Sequence, residues 1–149
     1  MNTIFSGAFA LLCLSARLAN AGEGHFWTVE DDFDSVTFSV ESAILDKGLV
    51  IDHTSHTGEM LERTKGDVGA TRTIFTAADV FSFCSSKVSR AVMEIDPANV
   101  QFCPYNVFVF ERPEEPGQIT VGFRDYPEGE MDMVEDLLGG IIKEALGLD

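Results

Sequence analysis

The chain has 149 residues and a formal net charge of −15, from 25 acidic against 10 basic side chains. That length suits one domain with one core. The charge excludes a nucleic-acid binder, since such a surface repels phosphate backbones, and it repels an anionic lipid surface too; the partners it does suit are a basic protein or a divalent cation.

The first segment, MNTIFSGAFALLCLSARLANAGEG, carries an apolar run from Ile4 to Leu14 that is too short to span a bilayer. Ala19-Asn20-Ala21 then supplies a small-x-small cleavage pattern. Residues 1–21 therefore read as a secretory signal peptide cut after Ala21, with no Lys or Arg ahead of the apolar run. Leu12 before Cys13 is the wrong residue for lipid attachment. No later segment is long and apolar enough to span a membrane. Residues 22–149 are expected to form a single exported domain, periplasmic or secreted. The leader's one charged residue is Arg17, so cleavage takes the formal charge to −16.

His25 to Glu30 reads as a strand with Trp27 and Val29 on one face. A helix follows from Asp34, a good N-cap, to Lys47. Val36, Val40, Ala43 and Ile44 recur at helical spacing, Phe33 and Phe38 are placed for a hydrophobic staple, and Gly48 closes the end. Leu49 to His53 is a short strand, Gly58 to Lys65 a short helix, and Ile74-Phe75 and Val80 to Cys84 are strand pieces. In the last of these, Phe81 and Phe83 oppose Cys84. Ser86 to Ile95 carries the stripe Val88, Ala91, Val92, Ile95 of a core-facing helix.

Tyr105 to Glu111 is apolar on both faces, which marks a central strand. PEEPG makes a turn, and Ile119 to Arg124 alternates as the hairpin partner. A last helix runs from about Glu130 to Leu146. Gly139-Gly140 interrupts it, which fits close packing on the sheet or a close helix contact in a dimer. The order predicts an α+β or α/β two-layer sandwich, a mixed sheet of five to six strands with helices packed on it.

Cys84 and Cys103 allow four readings. An oxidising compartment favours a disulfide, whose loop of about 20 residues would contribute roughly 3 kcal/mol. If the strands they flank are parallel, however, a helix of about 15 Å separates them, against a disulfide limit of about 7 Å between Cα atoms. They are then unbonded structural cysteines, ligands, or a reactive Cys84 activated by the helix N-terminus that follows it. No Cys-x-x-Cys is present.

Among histidines, Asp52-His53-Thr54-Ser55-His56 places two imidazoles three residues apart. On a turn they could converge on a metal with Glu59 or a cysteine. On a strand they diverge, and His53 shares a face with Leu49 and Ile51, which favours packing. His25 near the mature N-terminus could contribute to a copper or zinc site using that terminus. The paired carboxylates read as solvated loops and helix faces. No catalytic residue, nucleophile elbow, phosphate loop or dinucleotide fingerprint stands out, and no cofactor is implied.

The stretch AADVFSFCSSKVSRAVMEIDPANVQFCPYNVFVFE resembles the domain of unknown function 302 family of small bacterial α/β proteins. The resemblance rests on Phe81-Ser82-Phe83-Cys84 before a helix, the Asp96-Pro97 turn, Pro104 at a strand entry, and Val107 to Glu111. Lys47-Gly48 and GEMLERTKGDVGA also fit, so it spans about Phe26 to Leu146. Many members have Pro-Cys at the strand entry, with sulfur at the position of Tyr105; here Cys103-Pro104 puts it two residues earlier. The resemblance implies the fold and a homodimer, and no chemistry. The reading is an exported binding or accessory protein, not an enzyme, with its site around Cys84, Cys103 and Tyr105. The alternative is a thiol- or metal-dependent redox or sulfur-handling protein at the same residues.

Overall fold

A computed structural model describes residues 24–148. The signal peptide expected over residues 1–21 lies outside them. The elements are β1 (His25–Glu30), α1 (Phe33–Asp46), β2 (Val50–Ser55), α2 (Thr57–Thr64), β3 (Ala77–Cys84), α3 (Ser86–Ile95), a 3-10 turn (Pro97–Phe102), β4 (Tyr105–Glu111), β5 (Gln118–Phe123) and α4 (Asp132–Leu146). The strands form one sheet in the order β1-β5-β4-β3-β2. This is the α+β two-layer sandwich the element pattern predicts, with β4 at its centre. All four pairings are antiparallel, not mixed. The expected parallel crossover between β3 and β4 is instead an antiparallel return, because α3 and the 3-10 turn together carry the chain back to the end it left.

The helix starts and stops follow from local chemistry. Asp32, not Asp34, caps α1: its Oδ1 accepts from the Asp34 N–H at 3.0 Å and the Ser35 N–H at 3.2 Å. With the helix beginning at Phe33, Phe38 lies five residues on and turns to solvent, 70% exposed, so the expected staple does not form. Val36, Val40, Ala43 and Ile44 are buried as their spacing dictates. Ser85 caps α3 by accepting from the Val88 N–H. In β2 the register shifts between Ile51 and His53. That bulge breaks the alternation and turns His53 outward, away from the face expected for it. Ile74-Phe75 lies in the connection ahead of β3.

The core lies on one face of the sheet. Tyr105, Val107 and Val109 of β4, Phe81 and Phe83 of β3, and Ile119, Val121 and Phe123 of β5 pack beneath α1 and α4. The alternate residues face the other way: Phe26, Phe108, Phe110, Val80 and Ala78. No helix covers their centre. The short α2 lies against Ala77 and Ala78 of β3, in the stretch that β2 leaves unpaired, where Gly58 brings the two backbones together. On the open face Phe26, Gly122, Phe108 and Val80 stand in register across four strands. A Cβ on Gly122 would meet the His25 carbonyl and the Phe108 ring, the latter at 2.7 Å, so the missing side chain is what lets Phe108 lie across β5. Gly139 and Gly140 are different: a Cβ on either meets nothing within 4 Å, so close packing on the sheet does not explain them.

These environments predict opposite outcomes for the same substitution. Gly122→Ala should destabilise by about 1–3 kcal/mol through overpacking. Gly139→Ala and Gly140→Ala should each stabilise by up to about 1 kcal/mol through helix propensity. Urea denaturation of the three variants reads both.

Candidate functional site

Four aromatic rings line the open face. Phe26 meets Phe108 at 5.5 Å between centroids, Phe108 meets Phe110 at 6.1 Å, and Phe110 meets Phe75 at 5.4 Å. Phe75 arrives from the connection after α2 and closes one side. Between these rings lies an apolar groove of about 490 Å³, floored by Ala78 and Val80, with Thr57 and Asp79 at one end and Arg124 and Asp125 at the other. It runs across β3, β4, β5 and β1, three inter-strand spacings or about 14 Å. Its size is that of a small-ligand pocket. Phe26 is 58% exposed, an unusual position for a ring unless something covers it. Arg124 forms no ion pair among the described residues; its guanidinium lies 5.8 Å from the Phe102 and Tyr126 ring centroids. Tyr126 is buried, and that burial pushes its pKa up to about 12, so it stays neutral.

Cys84 and Cys103 are joined as a disulfide with Cα atoms 6.4 Å apart. The expected separation by a helix length does not arise, because Phe83 pairs directly with Tyr105 in the antiparallel ladder. Cys84 leaves β3 at the end where Cys103 enters β4. The 3-10 turn holds Cys103 there: buried Asn99 donates to the Val92 carbonyl at 3.0 Å and to Glu130 at 3.3 Å. Cys103-Pro104 is a cis peptide. Tyr105 is 1% exposed, and its hydroxyl accepts from Ser89 at 3.1 Å. It is a core residue that ties β4 to α3. Bridged, neither sulfur is a thiolate, and the three residues line none of the groove.

His53 and His56 do not converge. His53 is exposed opposite Ser82, whereas the His56 Nδ1 lies 2.9 Å from Asp79 Oδ1 at the start of α2. The hydrogen bond to Asp79, then its charge, raises the His56 pKa above its ordinary value, with a smaller push from Glu59. Among the described residues, the histidine that meets two carboxylates at once is His25, with Asp125 and Glu135. Sequence reasoning singled out His25 for its place near the mature N-terminus, not for these partners. They lie about a hundred residues away and look like any other members of an acidic chain.

The fold and groove define a class: a small α+β sandwich with one helical layer and a bare, aromatic sheet face. The family model described as domain of unknown function DUF302 matches residues 25–145, and the chain belongs to that family. Its fold is similar to the crystal structure of an uncharacterized conserved DUF302 protein from Bacillus stearothermophilus, with a TM-score of 0.59 and 14% identity. The match covers 83% of this chain and 93% of that one. No curated protein matches.

Two measurements follow. The unreduced, denatured protein should take no thiol label, and Cys84→Ser with Cys103→Ser should lose about 3 kcal/mol of stability by the loop-closure argument. His56, raised when folded, contributes its stabilisation below the unfolded value near 6.5 and loses it as pH rises through the folded value. Because the His56 ring is exposed, the loss should be below about 1 kcal/mol. It should appear as a difference in urea midpoint between pH 5.5 and pH 8.5 that shrinks in His56→Gln.

Proposed function

We propose that the protein is an exported, non-enzymatic binding protein whose open sheet face takes a small elongated amphiphile, apolar along its body and acidic at one end. The observation that carries this reading is the groove itself, an apolar trough across four strands ending beside Arg124. The aromatic rings supply area without hydrogen-bonding demands, so they favour a flat or extended apolar body. Arg124, with no ion-pair partner among the described residues, is the basic group that lines the groove, and it would receive the acidic end. Export is supported by the leader-like sequence of residues 1–21 and by the Cys84–Cys103 bridge, which persists in oxidising compartments. Among the described residues no helix is long and apolar enough to cross a membrane.

The test uses anilinonaphthalene sulfonate as the fluorescent probe and dodecanoate as its competitor. The folded protein should bind the probe at one site and release it to dodecanoate. Phe26→Asp, at a position 58% exposed, should abolish binding while the far-UV circular dichroism stays that of the folded protein. Arg124→Ala should weaken dodecanoate about tenfold, the worth of one hydrogen bond to a charged group, and leave dodecanol unaffected. No binding, or binding unchanged in Phe26→Asp, overturns the reading. Light scattering on the same samples separates the competing occupant: a dimer that Phe26→Asp dissociates would give the face to a second copy of the chain.

A further inference from the structure

We infer that His25, Asp125 and Glu135 form a binding site for one divalent transition-metal ion, beside the Arg124 end of the groove and sharing Asp125 with its lining. The three side chains come from three elements: His25 opens β1, Asp125 follows β5, and Glu135 lies in the first turns of α4. One ligand atom from each lies within 4.8 Å of the others. The His25 Nε2 is 3.3 Å from Asp125 Oδ1 and 3.4 Å from Glu135 Oε2. A charge-assisted N–H···O bond would be about 2.7–2.9 Å. Metal–ligand bonds of about 2.0–2.1 Å in a tetrahedron instead put neighbouring donors about 3.3–3.4 Å apart. The two distances from His25 therefore match neighbouring donors around a common centre better than an imidazolium hydrogen-bonded to either acid, and the two carboxylate oxygens lie within 4.8 Å of each other.

The donors are also held in place. The His25 ring stacks on Phe123 at 4.6 Å between centroids. The second oxygen of Glu135, Oε1, accepts the Tyr126 backbone N–H at 2.9 Å, which leaves Oε2 aimed at His25. With a neutral imidazole the cluster carries two negative charges, which a dication neutralises. One nitrogen and two oxygens, with no thiolate, suit zinc, cobalt or manganese rather than a copper(I) or iron–sulfur centre. The side chains are 42%, 44% and 25% exposed, so the remaining coordination positions face solvent. Such a site is an open one, able to accept water or a further ligand atom.

The reporter is built in. Trp27 is the chain's one tryptophan, and its ring lies 6.5 Å from that of His25. Titration of the metal-free folded protein with zinc by calorimetry should give one equivalent bound. Titration with cobalt should quench Trp27 with the same stoichiometry. His25→Ala and Glu135→Gln should each weaken both signals by about tenfold or more, whereas His53→Ala and His56→Ala should leave them unchanged. Circular dichroism of the two site variants separates a lost site from a lost fold, and the side-chain-sized Asp125→Asn provides a third, milder reading. No saturable binding, or weak binding that survives His25→Ala as it would on a diffuse acidic surface, overturns the inference. So does binding that depends on His53 or His56.

Discussion

A single layer of helices can cover only one face of a sheet, and that limit governs this molecule. Tyr105, Val107 and Val109 bind β4 to α1 and α4, and their neighbours Asn106, Phe108 and Phe110 are committed by the two-residue period to the far side. With β4 at the centre, whatever stands on its far face stands in the middle of an uncovered surface. The aromatic groove follows from that placement. Gly122 completes it, because only a residue without a side chain leaves room for the Phe108 ring over β5.

Much of the fold was legible because it is written at short range. The helical spacing of Val36, Val40, Ala43 and Ile44 is local, and so are the PEEPG turn and the two-faced apolar run from Tyr105 to Glu111. What was not legible is relational. A strand, a helix and a strand can return parallel or antiparallel, and about twenty residues of connection permit either. Nothing between Cys84 and Cys103 states the sign. Once it is antiparallel, Phe83 sits opposite Tyr105 and the cysteines meet. The apolar character of both faces of β4 was equally clear, but not that one face would lack a cover.

The candidate sites show the same division. His53 and His56 drew notice because they are close in sequence, yet one bulged residue in β2 sends His53 outward and the start of α2 gives His56 to Asp79. His25 meets its carboxylates only through the pairing of β1 with β5 and the packing of α4 beyond it. Two acids among 25 carry no mark that would single them out. Arg124 and the groove rings were likewise present in the sequence as ordinary strand residues, and their grouping depends on the registers of four strands.

The bulge in β2 has a consequence for the molecule's behaviour in company. β2 is an outer strand of the sheet, and a straight outer strand offers its free backbone groups as a template for a neighbouring chain. A protein with a bare apolar face would be at particular risk, since a chain that paired there would extend both the ladder and the greasy surface. The register shift at Asp52 interrupts the regular row of donors and acceptors and leaves Asp52 and His53 in solvent. On that edge the bulge makes β2 a poorer template for a sixth strand than a straight strand would be.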